Sequence, residues 1–249
     1  MIGVFDSGSG GLTVLKEVRV RLPKADILYF GDIKNAPYGT KTHNELVRLT
    51  KDAVELLQSM GAHHIVSACN SVSAALALSS PLPHLTEMTE PTAASFRGTP
   101  ARIVLTATPA TIDSQIYQRA FHEIDKEIAT VAIPELAGAI EFGSSDAEIE
   151  RIIRDAFATV DLSRYDTLIL GCTHYPLVEY VFKYIFKYVP IEIIDPAVAV
   201  AKRVEERLAQ SEEGGGTTRF LISRESALFR DRVAHLWSHV GTPRIEVIE

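Results

Sequence analysis

Short runs of consecutive apolar residues alternate along this chain with longer stretches in which apolar residues recur every three or four positions. Ile2-Gly-Val-Phe5, Ile27-Leu-Tyr-Phe30, His64–Ala68, Arg102–Ala107, Ile128–Ile133 and Thr167–Leu170 read as strands. Further candidates lie at Ile191–Ile194, Phe220–Ile222 and Ile245–Val247. Leu12, Leu15, Val18 and Leu22 mark the face of a helix that Pro23 stops. Leu46, Leu49, Ala53 and Leu57 mark another over Leu46–Met60, and helices are predicted over Ser71–Leu78, Ile112–Phe121 and Asp146–Val160. Strand alternating with helix predicts an α/β fold with mainly parallel sheets. Asn35–Gly39 and Glu213–Gly216 read as loops, and the Pro- and Thr-rich segment Pro81–Pro100 as a crossing between domains.

The two halves of the pattern resemble each other. Ile2–Phe5 runs into Asp6-Ser7, and Arg102–Leu105 runs into Thr106-Ala107. Cys69 follows the first and Cys172 the second at nearly equal chain distance, each closing an apolar strand and each followed by two polar residues. This predicts two similar α/β halves facing each other, each offering one thiol.

Composition narrows the class. The 249 residues are 46% hydrophobic and 23% charged, as in folded globular proteins. Twenty-five Lys and Arg stand against 32 Asp and Glu, a net charge of −7, so there is no electrostatic footprint for nucleic acid or an anionic membrane. No apolar run approaches the ~18 residues needed to span a bilayer. Asp6 interrupts the apolar start, which does not read as a signal peptide; a cytoplasmic location is expected. Two cysteines exclude a disulfide scaffold and a Cys-rich zinc site. Cys172 and His174 stand too close in sequence to make a good pair of tetrahedral ligands, and no metal is expected.

The chemistry is expected where the strands end. Ligands of parallel α/β sheets bind at the carboxyl ends of strands, and backbone N–H groups opening the next helix attract anions and lower a thiol's pKa. Cys69 and Cys172 both occupy such positions. A single cysteine there would read as a small buried hydrophobe. Two in matched contexts suit acid/base groups on opposite faces of one carbon: one thiolate takes a proton, the opposing thiol returns one, and the configuration inverts. Acyl transfer would leave one thiol unexplained, and the Cys-x-x-Cys of a redox pair is absent. His174 is placed to share a proton with Cys172, and Asp6 to do so for Cys69 if their strands are neighbours; a helix cap and a hydrogen-bonded core histidine are the plainer alternatives. Asn70, Ser71 and Thr173 suit a carboxylate. No Lys stands in the strand-end blocks to anchor a pyridoxal Schiff base, so no cofactor is expected. Gly8-Ser-Gly-Gly11 with Asp32 leaves a dinucleotide-dependent oxidoreductase as a distant competitor, although Thr13 stands where the third glycine belongs.

Asp6-Ser-Gly-Ser-Gly-Gly-Leu12, Gly31-Asp32 with Pro37-Tyr-Gly39, Ala68-Cys-Asn70 and Gly171-Cys-Thr-His-Tyr-Pro-Leu177 together resemble the signature blocks of the glutamate racemases, in order and spacing, from about residue 2 to about residue 204. The resemblance implies a cofactor-independent isomerase that interconverts L- and D-glutamate and supplies D-glutamate for peptidoglycan and cell-wall synthesis. It implies two domains, residues 1–93 with 206–249 and residues 94–205, with the active site in the cleft between them. It implies Cys69 and Cys172 as the catalytic thiols, assisted by Asp6, His174 and Glu141. Asp6, Ser7, Tyr38, Gly39, Asn70, Ser71, Thr173 and His174 match substrate-binding positions. Homodimers are common in the family, and with the first strand at the start of the sequence, activation by a nucleotide, seen in relatives with an N-terminal extension, is not expected. The chain departs from the pattern at Ile33 and Ser71, where Thr is usual, over Ile133–Ala139, and at Glu90-Pro-Thr92; these bear on substrate breadth. An aspartate or broader amino-acid racemase is the alternative, against which Cys172-Thr-His174 speaks, since aspartate racemases usually carry Glu at the third position.

Overall fold

The computed structural model describes residues 1–76, 84–208, 214–237 and 243–248. Its strands are β1 (Ile2–Asp6), β2 (Ile27–Gly31), β3 (His64–Ser67), β4 (Leu85–Thr86), β5 (Ile103–Ala107), β6 (Ile128–Ala132), β7 (Thr167–Leu170), β8 (Glu192–Ile194), β9 (Thr218–Ile222) and β10 (Ile245–Val247). Among the described residues they form a six-stranded sheet in the order β10-β9-β2-β1-β3-β4 and a four-stranded sheet in the order β6-β5-β7-β8. Every pairing is parallel.

The order β2-β1-β3-β4 is repeated as β6-β5-β7-β8, so the chain lays down the same four-strand topology twice. In each sheet the strand order reverses beside the first strand of the repeat, which opens a crevice at the carboxyl ends of β1 and β3, and again of β5 and β7. Asp6 closes β1 and Cys69 follows β3; Thr108 follows β5 and Cys172 follows β7. The matched cysteine contexts of the sequence have this physical origin.

Each sheet is packed on both faces, as parallel sheets require. Successive residues of a strand point to opposite sides. Ile2 and Val4 therefore join Leu12, Leu15 and Val18 under one set of helices, while Phe5 joins Leu46, Leu49, Ala53 and Leu57 on the other side. In the smaller sheet Val104 and Leu168 pack with Ile149, Ile153 and Phe182; Ile103, Leu105 and Ile169 pack with Tyr117 and Phe121.

Several elements differ from the sequence expectation for local reasons. The helix expected from Leu46 begins at His43, because Thr42 and Glu45 form a capping box. The helix expected over Ile112–Phe121 is two, Pro109–Asp113 and Ile116–His122, separated where Gln115 adopts a left-handed φ of 57°. The segment Pro81–Pro100 holds β4 and a helix, Thr89–Ala94; Pro81–Pro83 lie outside the described residues, as do Ala77 and Leu78 of the predicted Ser71–Leu78 helix and Glu213 of the Glu213–Gly216 loop. Met88 packs in the core of the larger sheet, but Ala93 and Phe96 pack in that of the smaller one. On the return, Ile194 lies against the smaller sheet's core, whereas Ala197, Val200, Ala201 and Val204 of helix Ala197–Leu208 lie in the larger sheet's core.

Candidate active site

Cys69 and Cys172 are both free and buried, and both line one small cavity. Its other walls include Ser7, Tyr38, Gly39, Asn70, Ser71, Thr173 and His174, all expected from the sequence, and Pro37, Thr108, Thr111 and Ala137, which were not. Thr108 was within reach of sequence reasoning, since it follows β5 as Ser7 follows β1. The cavity measures about 10 Å³, room for a single water. Anything larger enters only when the walls move apart.

The thiols have different neighbours. Cys172 Sγ lies 4.0 Å from His174 Nδ1, and His174 Nε2 lies 2.8 Å from Glu141 Oε2. Glu141 also accepts from the Ser9 hydroxyl at 2.6 Å and the Ser9 backbone N–H at 3.1 Å. Burial alone would pull the His174 imidazole down, but its bonds to Cys172 and Glu141 outweigh that and hold it well above its ordinary value. Burial likewise pushes Glu141 up, and the bonds from His174 and Ser9 reverse the sign, leaving it below the usual carboxylate range. The outcome is an imidazolium–carboxylate pair beside Cys172, with each side chain no more than 3% exposed.

Among the described residues no such cation is found beside Cys69. Its Sγ lies 3.9 Å from the Ser7 hydroxyl. Burial, and then the negative charge of Asp6, push the thiol well up against the opposing pull of the Val72 N–H. The expectation that a strand-end position lowers a thiol's pKa therefore fails at Cys69: in a dry cavity, desolvation of the thiolate exceeds the stabilisation from the N–H groups.

Asp6 and Cys69 do end neighbouring strands, with Phe5 paired to Ser67. Yet the Asp6 carboxyl accepts from the Gly8 N–H at 3.0 Å and the Thr173 hydroxyl at 3.1 Å, so it bridges the two halves. Burial raises its pKa against the pull of His174 and the Gly11 and Gly8 N–H groups. Across the cavity, Ser71 Oγ meets Thr108 Oγ1 at 3.4 Å. Tyr117 donates its hydroxyl proton to Asn70 Oδ1, which leaves the buried Asn70 Nδ2 with no partner among the described residues. A buried donor without a partner in the wall of a cavity is suited to a ligand acceptor. Tyr117, which holds the wall residue Asn70, and Ser9 and Arg232, which hold Glu141 behind His174, carried no sequence signal of this role.

The glycine-rich loop serves close packing. A Cβ on Gly8 would stand 2.6 Å from Glu141 Oε1; on Gly10, 2.6 Å from His174 Nδ1 and 2.7 Å from Thr173 Oγ1. These glycines admit the second half's side chains, where a dinucleotide fold would admit a pyrophosphate. Asp32, which that reading needs free for a ribose, accepts from Tyr38 at 2.6 Å, Ser223 at 2.6 Å and Asn35. Ile33 packs into the larger sheet's core and does not line the cavity, so the missing Thr hydroxyl changes no wall residue. Ile133 is buried in the smaller sheet's core, Ala137 alone of Ile133–Ala139 reaches the cavity, and Glu90 pairs at the surface with Arg203. Among the described residues no group of three or more His, Cys, Asp or Glu side chains is arranged to hold a metal ion, and no helix is long and apolar enough to cross a membrane.

Residues 12–204 match the Asp/Glu/Hydantoin racemase family. The chain belongs to this family. A glutamate racemase of Carboxydothermus hydrogenoformans is 33% identical over 257 residues, covering 100% of this chain and 96% of that protein. Among solved structures, a glutamate racemase isoform of Bacillus anthracis superposes with a TM-score of 0.89 at 30% identity, over 100% of this chain and 97% of the other. The Francisella tularensis glutamate racemase, solved with D-glutamate, gives 0.84 at 27% identity, again over 100% and 97%. The racemase fold expected from the resemblance, two α/β halves with parallel sheets, is the fold found.

Proposed function

We propose that this protein is a glutamate racemase in which Cys69 and Cys172 exchange the α-proton of glutamate from opposite faces. The observation that carries this reading is that the only two cysteines of the chain, from equivalent strand ends of two repeated sheets, line one cavity. The α-proton of an amino acid is far less acidic than a thiol, so the site must stabilise the carbanion-like state as charge grows on the carboxylate. Asn70, Ser71 and, once its hydroxyl turns from Asp6, Thr173 are the donors assigned to that carboxylate, each worth about 3 kcal/mol by comparison with oxyanion holes. Asp6 and Ser7 are assigned to the ammonium, and Tyr38 and Gly39 to the side-chain carboxylate. His174, backed by Glu141, holds and returns the proton of Cys172. Closure over substrate excludes water and strengthens each of these interactions.

On this reading the larger sheet's domain comprises the residues before the Met88–Ala93 crossing and those from about Ala197 onward, rather than from 206, because helix Ala197–Leu208 is packed there. A cytoplasmic site of action, D-glutamate supply to peptidoglycan and a homodimer are carried over from the family resemblance.

Circular dichroism of L-glutamate and, separately, L-aspartate incubated with the protein tests the proposal. The glutamate signal is expected to decay to zero without added cofactor or metal, and the aspartate signal to persist. Decay of both would favour a broader amino-acid racemase. Thermal stabilisation by glutamate without loss of signal would make the protein a binding protein and overturn the proposal.

A second prediction concerns the glycine loop. Gly10→Ala forces His174 and Thr173 out of their places in the cavity wall, an overpacking of about 1–3 kcal/mol, and kcat/KM is expected to fall about tenfold or more. Unchanged kinetics would show that the side chains have room to yield.

A further inference from the structure

One carboxylate oxygen carries more donors than its role beside His174 requires. Glu141 Oε2 accepts from Ser9 N–H, from the Ser9 hydroxyl, from His174 Nε2 and, at 3.5 Å, from Arg232 Nη1. The two cationic donors arrive from different halves. His174 follows β7 of the smaller sheet, whereas Arg232 lies on helix Ala227–Leu236, whose Phe229 and Val233 are buried in the larger sheet's core. Arg232 is held firmly: it donates to the Ser9 hydroxyl and to the Ile140 carbonyl, and its side chain is 17% exposed. The Ser9 hydroxyl thus accepts from Arg232 and donates to Glu141, closing a small ring of charge-assisted bonds.

Two cations that share one oxygen weaken each other's hold on it, and they also repel directly; burial strengthens both effects. We infer that Arg232 is a positioning residue for proton transfer at Cys172: by sharing Glu141 Oε2 it limits how tightly that carboxylate fixes His174 in its cationic form, leaving the imidazole able to pass a proton to and from the thiol. The inference rests on the two-thiol reading above. The groups that face His174 are Glu141 from helix Leu136–Glu141, Asp6 from the end of β1 and Cys172 from its own loop, with Cys69 on the same cavity. Asp6 is engaged by Gly8 and Thr173, and Tyr29, the other titratable group felt by Arg232, donates to the Gly8 carbonyl. Among the described residues, Arg232 acting through Glu141 is therefore the lever on His174 that reaches it from the C-terminal segment.

The test combines ring titration of His174 by NMR in the substrate-free protein with the pH dependence of kcat/KM, for wild type, Arg232→Gln and Arg232→Lys. With the guanidinium gone, the His174 titration and the limb of the profile that follows it are expected to move upward by about half a pH unit or more. Arg232→Lys keeps the charge and is expected to stay near wild type. A His174→Asn background is expected to abolish the difference between Arg and Gln at position 232. An unmoved titration in Arg232→Gln overturns the inference, as does a shift in the rate profile that survives in the His174→Asn background. If Arg232→Gln has too little activity to profile, the ring titration decides. Full racemase activity in Cys69→Ala or Cys172→Ala would overturn the two-thiol reading itself; an unmoved His174 titration with both alanine variants inactive overturns only the role given to Arg232.

Discussion

Cys69→Ala and Cys172→Ala are each expected to abolish interconversion of the enantiomers, by about a thousandfold or more, in both directions equally. The equality is a thermodynamic requirement. L- and D-glutamate have the same free energy in water, so kcat/KM must match in the two directions for any variant, and no substitution can silence one direction alone. What the variants can separate is the half-reaction. With Cys69 removed, Cys172 still faces one side of the bound carbon and can take and return a proton there; with Cys172 removed, Cys69 does the same on the other side. In D2O each variant is expected to exchange the α-proton of one enantiomer only, and the two variants to choose opposite enantiomers. A chlorinated analogue should likewise lose HCl on one face only. NMR of the α-proton reads the exchange directly. Two variants that exchange the same enantiomer would show that the thiols do not stand on opposite faces.

The surroundings of the thiols predict how unequal these half-reactions are. Cys172 has an imidazolium within 4.0 Å, whereas Cys69 is held up by burial and the charge of Asp6. Forming a thiolate at Cys69 needs a compensating charge, and on the proposed assignment substrate brings one: its ammonium would add a cation next to Asp6. A cavity of about 10 Å³ has to widen before an amino acid enters it.

Much of this arrangement was legible in the sequence, and the reason is the regularity of parallel sheets. A buried parallel strand is largely apolar, so β1, β2, β3, β5 and β7 announced themselves, and residues that follow β1, β3, β5 and β7 line one cavity. The repeat of strand order explains why two thiols in matched contexts fall on one cavity. Legibility ended where a role depends on contacts between distant segments. Arg232 reaches Glu141 across 91 positions of chain, and Tyr117 reaches Asn70 across 47. Neither stands in a pattern of its own. The glycine loop was legible as a close approach but ambiguous as to what approaches; only the fold reveals Glu141 and His174 there. The sign of the pKa shift at Cys69 was unreadable for a related reason, since it depends on how dry the closed cavity is.

Glu141→Gln is expected to be the most destabilising single change at the site. The His174–Glu141 pair is nearly inaccessible to water, and removing the carboxylate leaves a buried imidazole that must either stay charged without a partner or give up its proton. Breaking a buried pair of this kind costs about 3–5 kcal/mol. For a chain of this length that corresponds to a fall in Tm of about 6–20 °C. The effect has a definite pH window. His174 is raised in the folded state, so its contribution is complete below the unfolded histidine value near 6.5 and fades as pH rises through the folded value. Glu141 is depressed, so its contribution is complete above the unfolded carboxylate value of 4.5 and fades as pH falls through the folded value. The difference in Tm between wild type and Glu141→Gln should therefore be greatest between about pH 4.5 and 6.5 and narrow on both sides. A difference that is flat from pH 4 to 9 would mean that the pair contributes shape and not charge; the imidazole would then be neutral in the resting protein, and Cys172 would have no cation beside it.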